Sequence, residues 1–138
     1  MTLREIARSE VLTVSPDTPL EETAATMRKA GVGSLVVVDD GDVVGIVTDR
    51  DIGLRVWEMT DPTEATTADL MTDDPVTVEI DSTLYDALQT ARDANVRRLP
   101  VIENRDLAGI ITLDDIVVLL AGELDAVSSV IQAESPPY

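Results

Sequence analysis

The chain has 138 residues, a net charge of −17 at neutral pH, nine arginines against a single lysine, and neither cysteine nor histidine. That composition excludes disulfides, thiolate chemistry and cysteine-ligated zinc, and removes both the usual proton shuttle and the commonest metal ligand. It also argues against nucleic-acid binding, which rests on Lys and Arg neutralising phosphates.

In chain order, a short segment over residues 11–14 reads as a strand. Thr18 is placed to cap a following helix, with Pro19 at its first position and Glu21 closing a capping box. The helix is expected to end at Ala30-Gly31, glycine being the residue that tolerates a left-handed turn at a helix end. Two valine- and isoleucine-rich runs, residues 35–38 and 43–47, read as a hairpin turned at Asp40-Gly41, and a second helix starts at Thr48. Residues 58–68 lack apolar periodicity and read as a surface linker.

The same order then recurs 64 residues later without a gap. Thr13-Val14 meets Thr77-Val78, Leu20 meets Leu84, Arg28 meets Arg92, and Gly45-Ile46-Val47-Thr48 meets Gly109-Ile110-Ile111-Thr112. Residues 75–78 form the strand, Ser82 takes the capping place, Asn95 ends the helix, residues 99–102 and 107–111 form the hairpin around Asn104-Arg105-Asp106, and Thr112 opens the last helix. Apolar residues at helical spacing continue over 117–131, interrupted at Gly122, and Ser135-Pro136-Pro137-Tyr138 reads as a frayed tail. A repeat this long fixes the architecture ahead of any single residue. The expected fold is α/β of the α+β type, two β-α-β-β-α repeats about a pseudo-twofold axis, with residues 1–57 and 69–122 as repeats, 58–68 between them and 123–138 as an extension. Each repeat alone is too small for a secure core, so the two should share one.

No apolar run is expected to approach the roughly 20 residues that span a bilayer, and the start of the chain reads as lacking a secretory segment; the expectation is a soluble, cytoplasmic protein without a membrane. Few aromatics, much acid and one lysine resemble proteins adapted to molar salt, which screens self-repulsion within a few ångströms; an ordinary acidic protein reads the same way. Serines are present but no base to activate them, so a hydrolase triad is excluded and no catalytic residue is assigned. Gly31-Val32-Gly33 is followed by a strand where a dinucleotide fingerprint needs a helix. The acid pairs Asp39-Asp40, Asp73-Asp74 and Asp114-Asp115 lack the spacing of a calcium loop and read as turns and caps, with no metal site.

Leu70-Met71-Thr72 before Val76-Thr77-Val78, the run Val96-Arg97-Arg98-Leu99-Pro100-Val101, and the duplicated Gly-Ile-hydrophobic-Thr-x-x-Asp at Gly45 to Asp51 and Gly109 to Asp115 together resemble the tandem cystathionine-β-synthase domain, the CBS pair or Bateman module. The resemblance implies paired sheets and two clefts between repeats that take adenine nucleotides or adenosyl compounds, AMP or ATP before S-adenosylmethionine or NAD, in a non-enzymatic regulatory module that acts on an effector protein and needs no cofactor. It points to Thr48, Asp51, Thr112 and Asp115 for phosphate and ribose, to Arg97 and Arg98 for phosphates, and to Leu12 and Val76 on the adenine side.

Thr48-x-x-Asp51 and Thr112-x-x-Asp115 are equally well explained as capping boxes, and both roles can coexist at a helix N-terminus. The copies differ where a phosphate would sit: Gly33-Ser34 in one, Arg97-Arg98 in the other. Guanidinium forks pair well with phosphate oxygens. Strand alternation allows at most one of the two arginines into a given cleft, and Arg50 reaches either a phosphate or solvent. The alternative reading is a ligand-free interaction module. A homodimer is expected through the second helices, which carry Ile52, Leu54, Val56 and Trp57 in one repeat and Ile116, Val117, Leu119 and Leu120 in the other.

Overall fold

The 64-residue offset that aligns the sequence also relates the two halves of the fold. The computed structural model describes residues 1–134; the tail expected at 135–138 lies outside them. The first half runs α1 (Leu3–Ile6), β1 (Thr13–Val14), α2 (Leu20–Ala30), β2 (Ser34–Asp39), β3 (Asp42–Thr48) and α3 (Asp49–Arg55). The second runs α4 (Thr67–Leu70), β4 (Thr72–Asp73), β5 (Val78–Glu79), α5 (Leu84–Ala94), β6 (Arg98–Glu103), β7 (Asp106–Thr112) and α6 (Leu113–Glu134). The paired sheets implied by the resemblance are one continuous sheet, ordered β1-β2-β3-β7-β6-β5 with β4 on β3, its halves joined where Asp42 meets Asp106.

Local chemistry accounts for most element ends. Gly31 and Asn95 close α2 and α5 in the left-handed conformation, at φ 67° and 55°. Asp40-Gly41 and Asn104-Arg105 take positive φ at both positions, the requirement of the tightest hairpin turns. The expected caps differ. Thr83, not Ser82, caps α5, its Oγ1 accepting from Asp86 N at 3.1 Å. The matching residue before α2 is Pro19, which has no hydroxyl, so α2 lacks the Thr18–Glu21 box; Leu20 N donates instead to Ala65 O at 2.9 Å. The ladder of β5 also begins later than expected. Val36 N reaches Leu12 O, but its counterpart Pro100 has no N–H to offer Val76.

Each repeat lends its lead-in to the other. Arg8 pairs with Ile110 on β7, with N···O distances of 3.0 and 2.9 Å, and Thr72 pairs with Ile46 on β3. These crossings explain the glycines of the repeated motif: a Cβ on Gly109 would stand 2.6 Å from Arg8 O, and one on Gly45 2.5 Å from Met71 Sδ. Leu3 is fully buried in the second repeat's core with Ala87, Leu99, Val101 and Ile111. Its counterpart Thr67 is buried against the first repeat, where its hydroxyl meets Thr23 Oγ1 at 2.6 Å. The apolar pair Leu3 and Ala87 in one half is thus a hydrogen-bonded threonine pair in the other. Residues 58–68 are therefore no simple surface linker. Ala65 and Thr67 are buried, Ala65 and Leu70 pack on Leu20, and Ile52, Val56 and Met59 close that cluster.

α6 runs 22 residues through Gly122, which lowers helix propensity by about 1 kcal/mol relative to alanine without ending the helix. Contrary to expectation, it is long and apolar enough, by length and composition alone, to cross a membrane, with mean hydropathy 1.7 over 18 residues. Glu123 and Asp125 interrupt the apolar run in the sequence and hid this. Its first turns are set in the fold, where Leu113 and Ile116 pack on the second core. Of the side chains expected outward, Ile116 is buried and Ile52 and Val56 complete the first repeat's clusters. Leu54, Trp57, Val117 and Leu120 stay exposed, Trp57 at 87%.

Candidate functional site

Strand β3 ends at Thr48 and delivers the first turn of α3 to the seam between the repeats. Thr48 Oγ1 accepts from Asp51 N at 3.0 Å, and Thr48 N donates to Asp51 Oδ2 at 3.3 Å. In the second copy Thr112 Oγ1 accepts from Asp115 N at 3.1 Å. Both pairs act as caps, and both lie in clefts.

The two clefts correspond almost residue for residue. One, of about 440 Å³, brings Thr48 and Asp51 of the first repeat against Val76, Arg97 and Arg98 of the second. The other, of about 480 Å³, brings Thr112 and Asp115 against Leu12 and Ser34, with Arg8 and again Arg98 on its wall. The Thr-x-x-Asp of each repeat therefore faces the first strand of the other. Both arginines line the first cleft. Arg97 precedes β6 and escapes the alternation that governs residues inside a strand. Arg50 lines neither cleft and is an exposed position on α3; its counterpart Asp114 lines the second.

Charge separates the clefts further. In the first, Asp51 forms no ion pair among the described residues, and neither does Arg98; Arg97 Nη2 reaches Asp114 Oδ1 of the same repeat at 2.9 Å, both side chains more than two-thirds exposed. In the second, Asp115 is engaged on both oxygens, Oδ2 accepting from Arg8 Nε at 3.0 Å and Oδ1 from Arg8 Nη2 at 2.7 Å. Partial burial pushes the Asp115 carboxyl up, but hydrogen bonds from Arg8 and Thr112 and the charge of Arg8 outweigh it and hold the group below its ordinary value. Asp115 in turn raises the Arg8 guanidinium above its own.

Sequence reasoning missed Arg8. Comparing the repeats from residue 12 onward leaves out the lead-ins, where the same offset sets Arg8 opposite Thr72 and the capping pair Thr2 and Glu5 opposite Thr66 and Asp69.

The model of the CBS domain matches residues 3–53 and 68–122. An uncharacterised protein of Methanopyrus kandleri is 37% identical over 120 residues, 85% of this chain and 61% of that relative, so the chain spans about three-fifths of its length. Among solved structures, the CBS domain pair of protein MJ0100 in complex with 5'-methylthioadenosine and S-adenosyl-L-methionine is similar at TM-score 0.78 and 25% identity, covering 89% of this chain and 98% of that one. CBSX2 in complex with AMP, an Arabidopsis thaliana protein, is similar at TM-score 0.76 and 26% identity, covering 88% and 97%. With both halves matched and the pair architecture shared, the chain belongs to the CBS-domain family as a tandem CBS pair.

Proposed function

We propose that the chain is a cytoplasmic regulatory module without catalytic activity, which binds an adenine nucleotide, AMP or ATP, in the cleft of Thr48, Asp51, Arg97 and Arg98 and signals occupancy to an effector protein. The carrying observation is the first cleft itself: Asp51, a carboxylate without a cation partner among the described residues, lines it together with Arg97 and Arg98. A ribose diol suits the carboxylate and phosphate oxygens suit the arginines. The AMP complex of CBSX2 and the adenosyl ligands of the MJ0100 pair support this ligand class. A ligand binding only the folded state stabilises it by RT ln(1 + [L]/Kd), about 2.7 kcal/mol at 100 Kd. AMP or ATP should therefore raise the melting temperature. Asp51→Ala should weaken binding by tenfold or more in isothermal titration. No stabilisation by AMP, ATP, NAD or S-adenosylmethionine would favour the alternative, a ligand-free interaction module.

The working unit we infer is a homodimer built on the second helices. Leu54, Trp57, Val117 and Leu120 are exposed apolar side chains on α3, the turn after it, and α6, and such patches usually mark interfaces, most often closed twofold ones. Light scattering should give twice the 14.8 kDa of the chain; a monomer mass at micromolar concentration, with and without nucleotide, would rule the dimer out.

A further inference from the structure

We propose that Arg8 closes the second cleft to ribose, so that the chain takes one adenosyl ligand where its symmetry offers two. The inference rests on the nucleotide reading above, and it comes from a break in the symmetry separate from that between Arg97-Arg98 and Gly33-Ser34. The clefts match position by position, yet at the place where the first has Thr72 the second has Arg8. The arm carrying Arg8 is fixed by its backbone, paired to Ile110 in both directions and pressed against Gly109. From that root the guanidinium reaches both oxygens of Asp115, at 2.7 and 3.0 Å. The fork takes one acceptor site on each Asp115 oxygen and covers the edge on which a ribose diol would pair with both; a ligand that uses that edge must first displace the arginine. Asp51 has no such partner among the described residues, and Thr72 is too short to supply one.

The rest of the wall does not compensate. Glu10, Asp114 and Asp115 face Arg8 and Arg98 in the second cleft, whereas Asp51 and Asp74 face Arg97 and Arg98 in the first. Breaking the Arg8–Asp115 pair to admit an anionic ligand leaves a net acidic wall and no arginine in place of Gly33 and Ser34. The Arg8 side chain is 69% exposed but Asp115 only 24%, and the fork is bidentate where the Arg97–Asp114 contact is single, so discrimination between clefts should be about tenfold, between the scale of an exposed pair and that of a hydrogen bond to a charged group.

The test uses adenosine, whose lack of charge keeps the acidic wall out of the comparison, and replaces Arg8 by the residue that stands opposite it in the repeat. Isothermal titration of the whole chain at fixed salt should give one adenosine per chain for wild type and two for Arg8→Thr, with Arg8→Lys between them in second-site affinity. Asp51→Ala alone should abolish tight binding, while Arg8→Thr with Asp51→Ala should restore one site, which Asp115→Ala then removes. Thermal melting of each variant checks that the fold is retained; because the arm docks by backbone pairing, Arg8→Thr should melt close to wild type. Two equivalent sites in wild type, or one site remaining in Arg8→Thr, overturns the inference while leaving the nucleotide reading in place. Absence of binding of adenosine and of AMP to wild type and Arg8→Thr alike overturns both.

Discussion

Leu3→Ala is expected to lower stability by about 2–5 kcal/mol, the cost of emptying a fully buried leucine site, and to shift the melting temperature down by roughly 5–15 °C for a chain of this size. A residue three positions from the chain start would ordinarily be among the most tolerant of change. Here it is fully buried, and every core residue it joins, from Val78 to Ile116, belongs to the other repeat. Its neighbours tie it down: Leu3 N donates to Ser82 O and Arg4 N to Ile80 O, each at 2.9 Å, while the Arg4 guanidinium bridges Asp81 and Glu103. The loss should therefore appear as reduced stability of the second half together with the arm. Leu12→Ala is the matched control, an equal truncation at a side chain 47% exposed, and should cost well under 1 kcal/mol. Denaturant unfolding at fixed salt measures both; a Leu3→Ala loss no larger than that of Leu12→Ala would mean that the arm is not docked as described.

The exchange of lead-ins is also where the sequence stopped being readable. The repeat, the hairpins, the left-handed helix ends and the capping threonines follow from neighbours a few residues apart, and Gly31, Asn95 and Thr48 stand as expected. What decides where α1 and α4 dock is a contact between segments far apart in the chain, Leu3 with Ser82 for the one and Thr67 with Thr18 and Thr23 for the other, and a four-residue helix is too short to show a period. Residues 58–68 read as linker for that reason, though Ala65 and Thr67 are buried. The lining of the first cleft, the candidate site, was legible to the same depth. Thr48, Asp51, Val76, Arg97 and Arg98 could be named, but which repeat's aspartate faces which repeat's arginines depends on the crossing of chains. The partner of Asp115 lies 107 residues away at Arg8. No local pattern carries that distance.

Replacing Arg97-Arg98 by Gly-Ser, the residues that the other repeat carries at Gly33-Ser34, is expected to weaken AMP binding about a hundredfold while changing adenosine binding by less than about threefold. A hydrogen bond to a charged group contributes about 1.5–3 kcal/mol, and two are lost at once. The fold should accept the exchange, because Ser34 pairs with Thr48 in the register in which Arg98 pairs with Thr112. Releasing Arg97 for a phosphate costs little, since its bond to Asp114 joins two side chains 71% and 77% exposed, and such pairs contribute at most about 1 kcal/mol. Arg98 forms no ion pair among the described residues and has nothing to release. A phosphate role also predicts that the AMP advantage over adenosine shrinks as salt rises, whereas a loss caused by misplaced packing would follow adenosine and AMP equally and be indifferent to salt. Isothermal titration of both ligands at two salt concentrations separates these cases; equal weakening of adenosine and AMP by the double replacement would remove the arginines from the phosphate site.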